Sequence, residues 1–279
     1  MNSFRHAAEV EKMYYITKNI EGDVIRVYKH YNKNAPNPDR GQREKATPEE
    51  IEKINQINAE KKLTGLLNAN FEEGDSHVVL TYKKETRPPI ELARKISKMF
   101  LQNLRKVYRQ NGCILKYVFV TEYENKAIHH HIVINDLKGA NVLREIQKLW
   151  KGYGGTKITA LYGMDFEGLA KYLIKETSKT FRKKDGRQRQ RWSCSRNLKK
   201  PITFEEVSKA ARWLKEPKAP RGYFIPKSSI HNGIDWNGKP YQTYKLIRIS
   251  SKAPPDYLDR EEKKRWYKKL LQVEPDNKE

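Results

Sequence analysis

An α+β fold built on an antiparallel sheet is predicted by three features of this 279-residue sequence. Two β-rich runs are separated by only two polar residues, a third run precedes a long amphipathic segment, and a fourth follows a shorter one. The adjacent runs are residues 115–124 and 127–135, with Asn125-Lys126 between them as a hairpin turn. Upstream, residues 77–82 form a short β-branched strand. Residues 89–109 form a long helix with Ile96, Phe100, Leu104 and Val107 on one stripe, ended by Gly112. Downstream come a helix over about 140–150, a break at 152–155 rich in glycine, a strand at 157–161 and a helix from Asp165 to about Lys179. The succession β-α-β-β-α-β plus a final helix is the ferredoxin-like split βαβ arrangement. It predicts an antiparallel sheet with helices on one face and the other face free for a ligand.

The flanks read as additions to that core. Residues 13–17 and 24–28 are β-rich and joined by polar residues with Gly22, which predicts an N-terminal hairpin. Residues 32–46 are polar, with Pro36, Pro38 and Gly41, and read as a loop. Thr47-Pro48-Glu49-Glu50 then supplies an N-cap, a proline at the first helical position and a carboxylate three residues after the cap, so a helix follows to about Asn68. Past Phe181 the chain becomes strongly basic, closing on Trp192. A helix over about 203–215 is predicted next. A second hairpin follows, with Trp236-Asn237-Gly238-Lys239 as a type I′ turn, and then a charged tail with a helical segment near 261–272. The resulting division is 1–74, 75–181 and 182–279. Gly233 to Lys239 has the skeleton of a phosphate-binding loop, but Pro240 occupies the hydroxyl position and the glycine-lysine pair sits in a hairpin turn, so an ATP site is rejected.

Fifty-seven Lys and Arg against 34 Asp and Glu give a formal charge of +23, which calls for a polyanionic partner, nucleic acid foremost. No stretch is apolar enough to span a membrane and no basic helix carries a broad apolar face. Cys113 and Cys194 are too few for a disulfide framework or a cysteine zinc site, and no secretion signal is visible at Met1 to Val10, so a cytoplasmic location is expected.

Three of the seven histidines stand together as His129-His130-His131 inside an apolar, β-branched run. On a strand His129 and His131 share one face and His130 points to the other. If Glu122 on the neighbouring strand lies opposite His131, then Glu124 lies opposite His129, and all four side chains share a face. Two neutral imidazoles and one carboxylate, with positions left for water or substrate, suit a catalytic Mg²⁺, Mn²⁺ or Zn²⁺. On the helix from Asp165, Phe166, Leu169, Ala170 and Leu173 form the packing stripe. Gly168, Tyr172, Lys175 and Lys179 fall on a different face. A cation beside Tyr172 would favour phenolate and neutralise a phosphate oxygen. By itself Tyr-x-x-Lys carries little weight in a chain with 16 tyrosines. The run Arg182-Lys183-Lys184-Asp185-Gly186-Arg187-Gln188-Arg189-Gln190-Arg191-Trp192 reads as a phosphate-tracking arm, with Trp192 able to stack a base.

Taken together, His-x-His on a strand, Glu122 on the strand before it and Tyr-x-x-Lys on a later helix resemble the HUH endonuclease superfamily, particularly rolling-circle replication initiators of phages, plasmids and integrative elements. The resemblance covers about residues 76–179. It implies that His129, His131 and Glu122 bind a divalent metal, Mg or Mn, and that Tyr172 is the nucleophile, assisted by Lys175. It also implies that Lys179, Arg182, Lys183, Lys184, Arg187, Arg189, Arg191 and Trp192 contact DNA. In the family pattern a hydrophobe stands where this chain has His130. Residues 78–82 resemble the family's first motif, and residues 191–201 resemble a segment of replication proteins of Gram-positive mobile elements. The implied activity is strand-specific nicking and joining of single-stranded origin DNA through a 5′-phosphotyrosine, with a host helicase and polymerase as partners and a transient homodimer at termination. A relaxase, a single-tyrosine transposase, or a non-catalytic single-stranded nucleic-acid-binding protein are the other readings of the same residues.

Overall fold

The computed structural model describes residues 14–31, 47–124, 127–137, 140–181, 191–208, 210, 212–235, 238–249, 261, 262 and 265. Two compact units result, Thr47–Lys199 and Met1–Ala46 with Lys200–Glu279. Among the described residues no helix is long and apolar enough to cross a membrane.

In the unit Thr47–Lys199 the sheet comprises β3 (Ser76–Thr81), β4 (Tyr117–Glu124), β5 (Ala127–Ile134), β6 (Thr156–Ala160) and β7 (Ser193–Cys194), in the order β6-β3-β5-β4-β7 with all neighbours antiparallel. The helices are α1 (Pro48–Asn68), α2 (Ile90–Gln110), α3 (Val142–Trp150) and α4 (Glu167–Phe181). With α2 between β3 and β4, and α3 between β5 and β6, the split βαβ order of the sequence reading is present.

Local chemistry explains each boundary. Thr47 and Glu50 exchange reciprocal cap hydrogen bonds with Pro48 in the first turn of α1. Asn141 Oδ1 accepts from Arg144 N at the start of α3. Gly112 ends α2 with φ near +68°, a conformation that costs an L side chain strain. Gly154 packs so tightly on β3 that a Cβ there would lie 2.0 Å from the Thr81 carbonyl oxygen.

Two apolar clusters flank the sheet. On one side Ile128, Ile132 and Ile134 of β5 pack with Phe100 and Leu104 of α2 and Ile146 and Trp150 of α3. On the other, Val118, Val120 and Val133 pack with Leu63 and Leu67 of α1 and Ala170, Leu173 and Ile174 of α4. The second face is therefore not left free, as one-sided helices would require. The helices before and after the βαββαβ core cover part of it, because the small β-branched side chains there form an apolar patch that α1 and α4 bury.

His130 belongs to the first cluster. It is buried, its Nε2 lies 2.9 Å from the Tyr82 hydroxyl and its Nδ1 3.0 Å from that of Thr121, and burial holds its pKa down at about 3. The unfolded chain takes up a proton near pH 6.5 while the folded chain resists it until about pH 3, so stability is complete above pH 6.5 and is lost as pH falls through that window. His130→Leu should flatten that acid slope in denaturant titrations run across the window, and His130→Ala should cost about 3 kcal/mol through a cavity and two hydroxyls left without partners. An unchanged slope in His130→Leu would assign the acid sensitivity elsewhere.

The stretch after the basic run returns to this sheet. Cys194 and Ser193 pair with Val118 and Phe119, Ser195 N donates to Tyr117 O, and Tyr117 N donates to Ser195 Oγ. Asn70 clamps Lys199 through both backbone groups. Residues 193–199 thus shield the β4 edge, the role a bare edge strand requires of its neighbour.

In the other unit β1 (Tyr15–Glu21) and β2 (Val24–His30) form the expected N-terminal hairpin. Their sheet runs β10-β11-β2-β1-β8, with β8 at Ile202–Val207, β10 at His231–Ile234 and β11 at Pro240–Arg248, and β9 (Tyr223–Phe224) pairs with β11. The helix expected over 203–215 is replaced at its start by β8. Thr203 followed by Glu206 imitates a helix cap, but the segment alternates: Phe204 is buried in the core, and Glu206 pairs with Lys18 of the neighbouring β1. The second hairpin closes with Ile234 opposite Pro240, Gly238 N donating to Asp235 O and Gly238 at φ +73°. This is a five-residue connection instead of the two-residue type I′ turn. The tail helix expected near 261–272 falls largely outside the described residues.

Candidate active site

The β4–β5 register decides which carboxylate meets the histidines. Glu124 stands opposite Ala127, Glu122 opposite His129, and Val120 opposite His131. The pairing of Glu122 with His131 expected from sequence is thus shifted by two residues. A two-residue connection at 125–126 forces the shift, since its flanking residues must pair with each other. The faces are unchanged, because a slip of two preserves side-chain parity. Glu122 consequently approaches both rings from a diagonal position. Its Oε2 lies 3.1 Å from His131 Nε2 and 4.0 Å from His129 Nδ1. Glu122 and His131 are buried, at 5% and 2% exposure, whereas the His129 side chain is 37% exposed. Glu124's side chain lies outside the described residues.

Helix α4 brings the nucleophile candidate to this cluster. Its start is pinned to the end of α1 by Asn68, whose Oδ1 accepts from Phe166 N and whose Nδ2 donates to Asp165. Leu173 and Ile174 then turn inward, and Tyr172 lies over the histidines with its ring centre 5.5 Å from that of His131, edge-on. Tyr172 remains 43% exposed, open to a substrate. Lys175 is exposed one turn on. Lys179 lies in α4, but its side chain is outside the described residues, as are Arg182, Lys183, Lys184, Arg187 and Arg189. Arg191 and Trp192 are described, and Trp192 is half-buried against the second apolar cluster. That packing takes up part of the ring surface that base stacking would use.

Two residues of the cluster were not anticipated. His77 of β3 places Nε2 3.3 Å from His131 Nδ1, and its ring meets Tyr172 edge-on at 6.2 Å. Its only sequence signal is its place two residues before the β-branched centre of a strand adjacent to β5. The second is Glu176, one turn after Tyr172, which acts electrostatically on both Tyr172 and His131. Its spacing of four from Tyr172 was the available clue.

The electrostatics differ from those expected. Burial, then Glu176 and Glu122, hold the Tyr172 phenol above its ordinary value, so in this cation-free arrangement the carboxylates outweigh the lysine on the next turn. Burial, then the neighbouring rings, keep His77 and His131 neutral down to about pH 4. The His131–Glu122 contact is therefore a hydrogen bond of a neutral imidazole at physiological pH. Among the described residues no three His, Cys, Asp or Glu side chains already form a closed cation cage. The donor set still suits a divalent ion: neutral nitrogens, one buried carboxylate oxygen shared between them, and an exposed His129 side chain with room to swing inward.

No curated protein and no solved structure matches the chain. The family model for Replication-associated protein ORF2 matches residues 75–181. That span runs from β3 to the end of α4 and holds His77, Glu122, His129, His131, Tyr172 and Lys175. The likeness of the site-bearing span to this family supports a role in DNA replication at the level of a replication initiator.

Proposed function

We propose that the chain is a rolling-circle replication initiator, a metal-dependent HUH-type nickase that cuts and rejoins one DNA strand through a 5′-phosphotyrosine. The observation that carries this reading is the convergence of three strands and one helix. Glu122, His129 and His131 share a sheet face, and Tyr172 lies across His131 with its hydroxyl-bearing ring exposed to solvent. Glu122, His129 and His131 would hold the divalent ion, which when bound supplies positive charge to a scissile phosphate and offsets the carboxylates around Tyr172. Tyr172 Oη forms the bond to phosphorus as the bond from phosphorus to the 3′ oxygen breaks. The phenol proton leaves to water or to Glu176, and the departing oxygen takes up a proton to become a free 3′-hydroxyl for a polymerase. Lys175 faces the solvent side, where it would neutralise a non-bridging phosphate oxygen. The formal charge of +23 supplies sequence-independent attraction to the strand, which the basic residues 182–191 would track.

The test uses end-labelled single-stranded oligonucleotides that tile the DNA flanking the gene, incubated with the full chain and Mn²⁺. A protein–DNA adduct that survives denaturation, is lost on chelation and maps by peptide sequencing to Tyr172 is the expected result. Retention of the oligonucleotides without any adduct would identify a single-stranded nucleic-acid-binding protein instead.

A further inference from the structure

His131 has two ring nitrogens and both are engaged: Nε2 meets Glu122 Oε2 at 3.1 Å and Nδ1 meets His77 Nε2 at 3.3 Å. The His77 and His131 rings are within 13° of parallel, with centres 5.5 Å apart. That separation exceeds the nitrogen–nitrogen distance by about two ring radii, so the two nitrogens point straight at each other, the geometry of an N–H···N hydrogen bond. A neutral ring carries one proton. Without a cation, the proton of His131 belongs on Nε2, donated to the Glu122 carboxylate, and Nδ1 accepts from His77 Nε2–H. A carboxylate facing a bare nitrogen would otherwise be repelled.

We propose that His77 is a positioning residue that sets the tautomer of His131 and, through its edge contact with Tyr172, ties the metal-binding face to the nucleophile. The inference rests on the reading of His131 as a metal ligand through Nε2. A cation held there displaces the Nε2 proton, so His131 must carry its proton on Nδ1 and donate it to His77. His77 Nε2 then accepts and its own proton moves to Nδ1. One proton leaves for solvent at His131 Nε2 and one enters at His77 Nδ1, so the count is unchanged. Metal-bound imidazoles generally require such an acceptor behind them, commonly a carboxylate or carbonyl. Here a second imidazole occupies that place on a neighbouring strand, at the far side of the ring from the ligand position.

The test is long-range ¹H–¹⁵N correlation on the full chain with ¹⁵N-labelled histidine, with and without Zn²⁺. Both His131 and His77 are expected to change from the Nε2–H to the Nδ1–H form together when Zn²⁺ binds. In parallel, Mn²⁺ affinity followed by electron paramagnetic resonance is expected to fall about 10–100-fold in His77→Phe. Most of that loss should be recovered in His77→Gln, whose amide oxygen can accept the same proton. If Zn²⁺ shifts His131 while His77 keeps its tautomer, or if His77→Gln binds Mn²⁺ as poorly as His77→Phe, the positioning role is wrong. If Zn²⁺ leaves His131 Nε2 untouched, the metal-centre reading itself fails, an outcome distinct from the first two. A His77→Phe protein with a lowered melting temperature is no obstacle, since the wild-type tautomer measurement stands alone.

Discussion

Tyr172→Phe should abolish nicking and the covalent adduct, a loss on the order of 10⁴-fold or more, while leaving affinity for single-stranded DNA and its salt dependence within about twofold of wild type. The hydroxyl makes the bond to phosphorus, whereas the ring makes the contacts with His77 and His131 that a phenylalanine retains. Folding should change little, because the side chain is largely exposed and the helix is held by Leu173, Ile174 and the Asn68 bridge. Adduct yield on denaturing gels and fluorescence anisotropy with a labelled oligonucleotide measure the two halves separately. Persistence of the adduct in Tyr172→Phe would move the nucleophile to another tyrosine.

Glu122→Gln should raise the metal concentration needed for activity by about a hundredfold or more, and Glu124→Gln by much less. Among the described side chains Glu122 is the carboxylate within reach of both imidazoles, and a neutral amide oxygen is a far weaker ligand for a hard cation than a carboxylate. The same substitution carries a second signature of opposite sign. Removing a buried negative charge that raises the Tyr172 phenol should bring its pKa down toward the ordinary value in the cation-free protein, read by ¹³C-tyrosine chemical shifts. A variant with less activity and a more acidic tyrosine separates ligand loss from simple damage to the fold. Equal metal requirements for the two variants would remove Glu122 from the ligand set.

Much of the core was legible because its signals are local. The cap of α1, the stripe of α2 and the alternating histidines depend on periods of 3.6 and 2 that neighbouring residues express by themselves. The strand at 202–207 was misread as helix because Thr203 and Glu206 carry a cap signal, while the partner that makes the segment a strand, β1, is more than 180 residues away in sequence. Trp192 shows the same limit. A tryptophan ending a basic run suggests base stacking, yet the chain folds back through Ser193 and Cys194 so that the ring packs against the apolar cluster.

The sequence by itself determined the order of the core elements, the face shared by His129 and His131, the opposite face of His130, and the turn from which the Glu122–His129 register follows by arithmetic. Only the tertiary structure decided that α1 and α4 cover the second face of the sheet, that β7 shields its edge, and that His77 and Glu176 join the site. The physical reason is the range of the interactions. Strand parity and helix caps are set within a few residues, whereas the contacts of His77 with His131 and Tyr172 span three elements that meet only after the hydrophobic faces of the sheet have been buried.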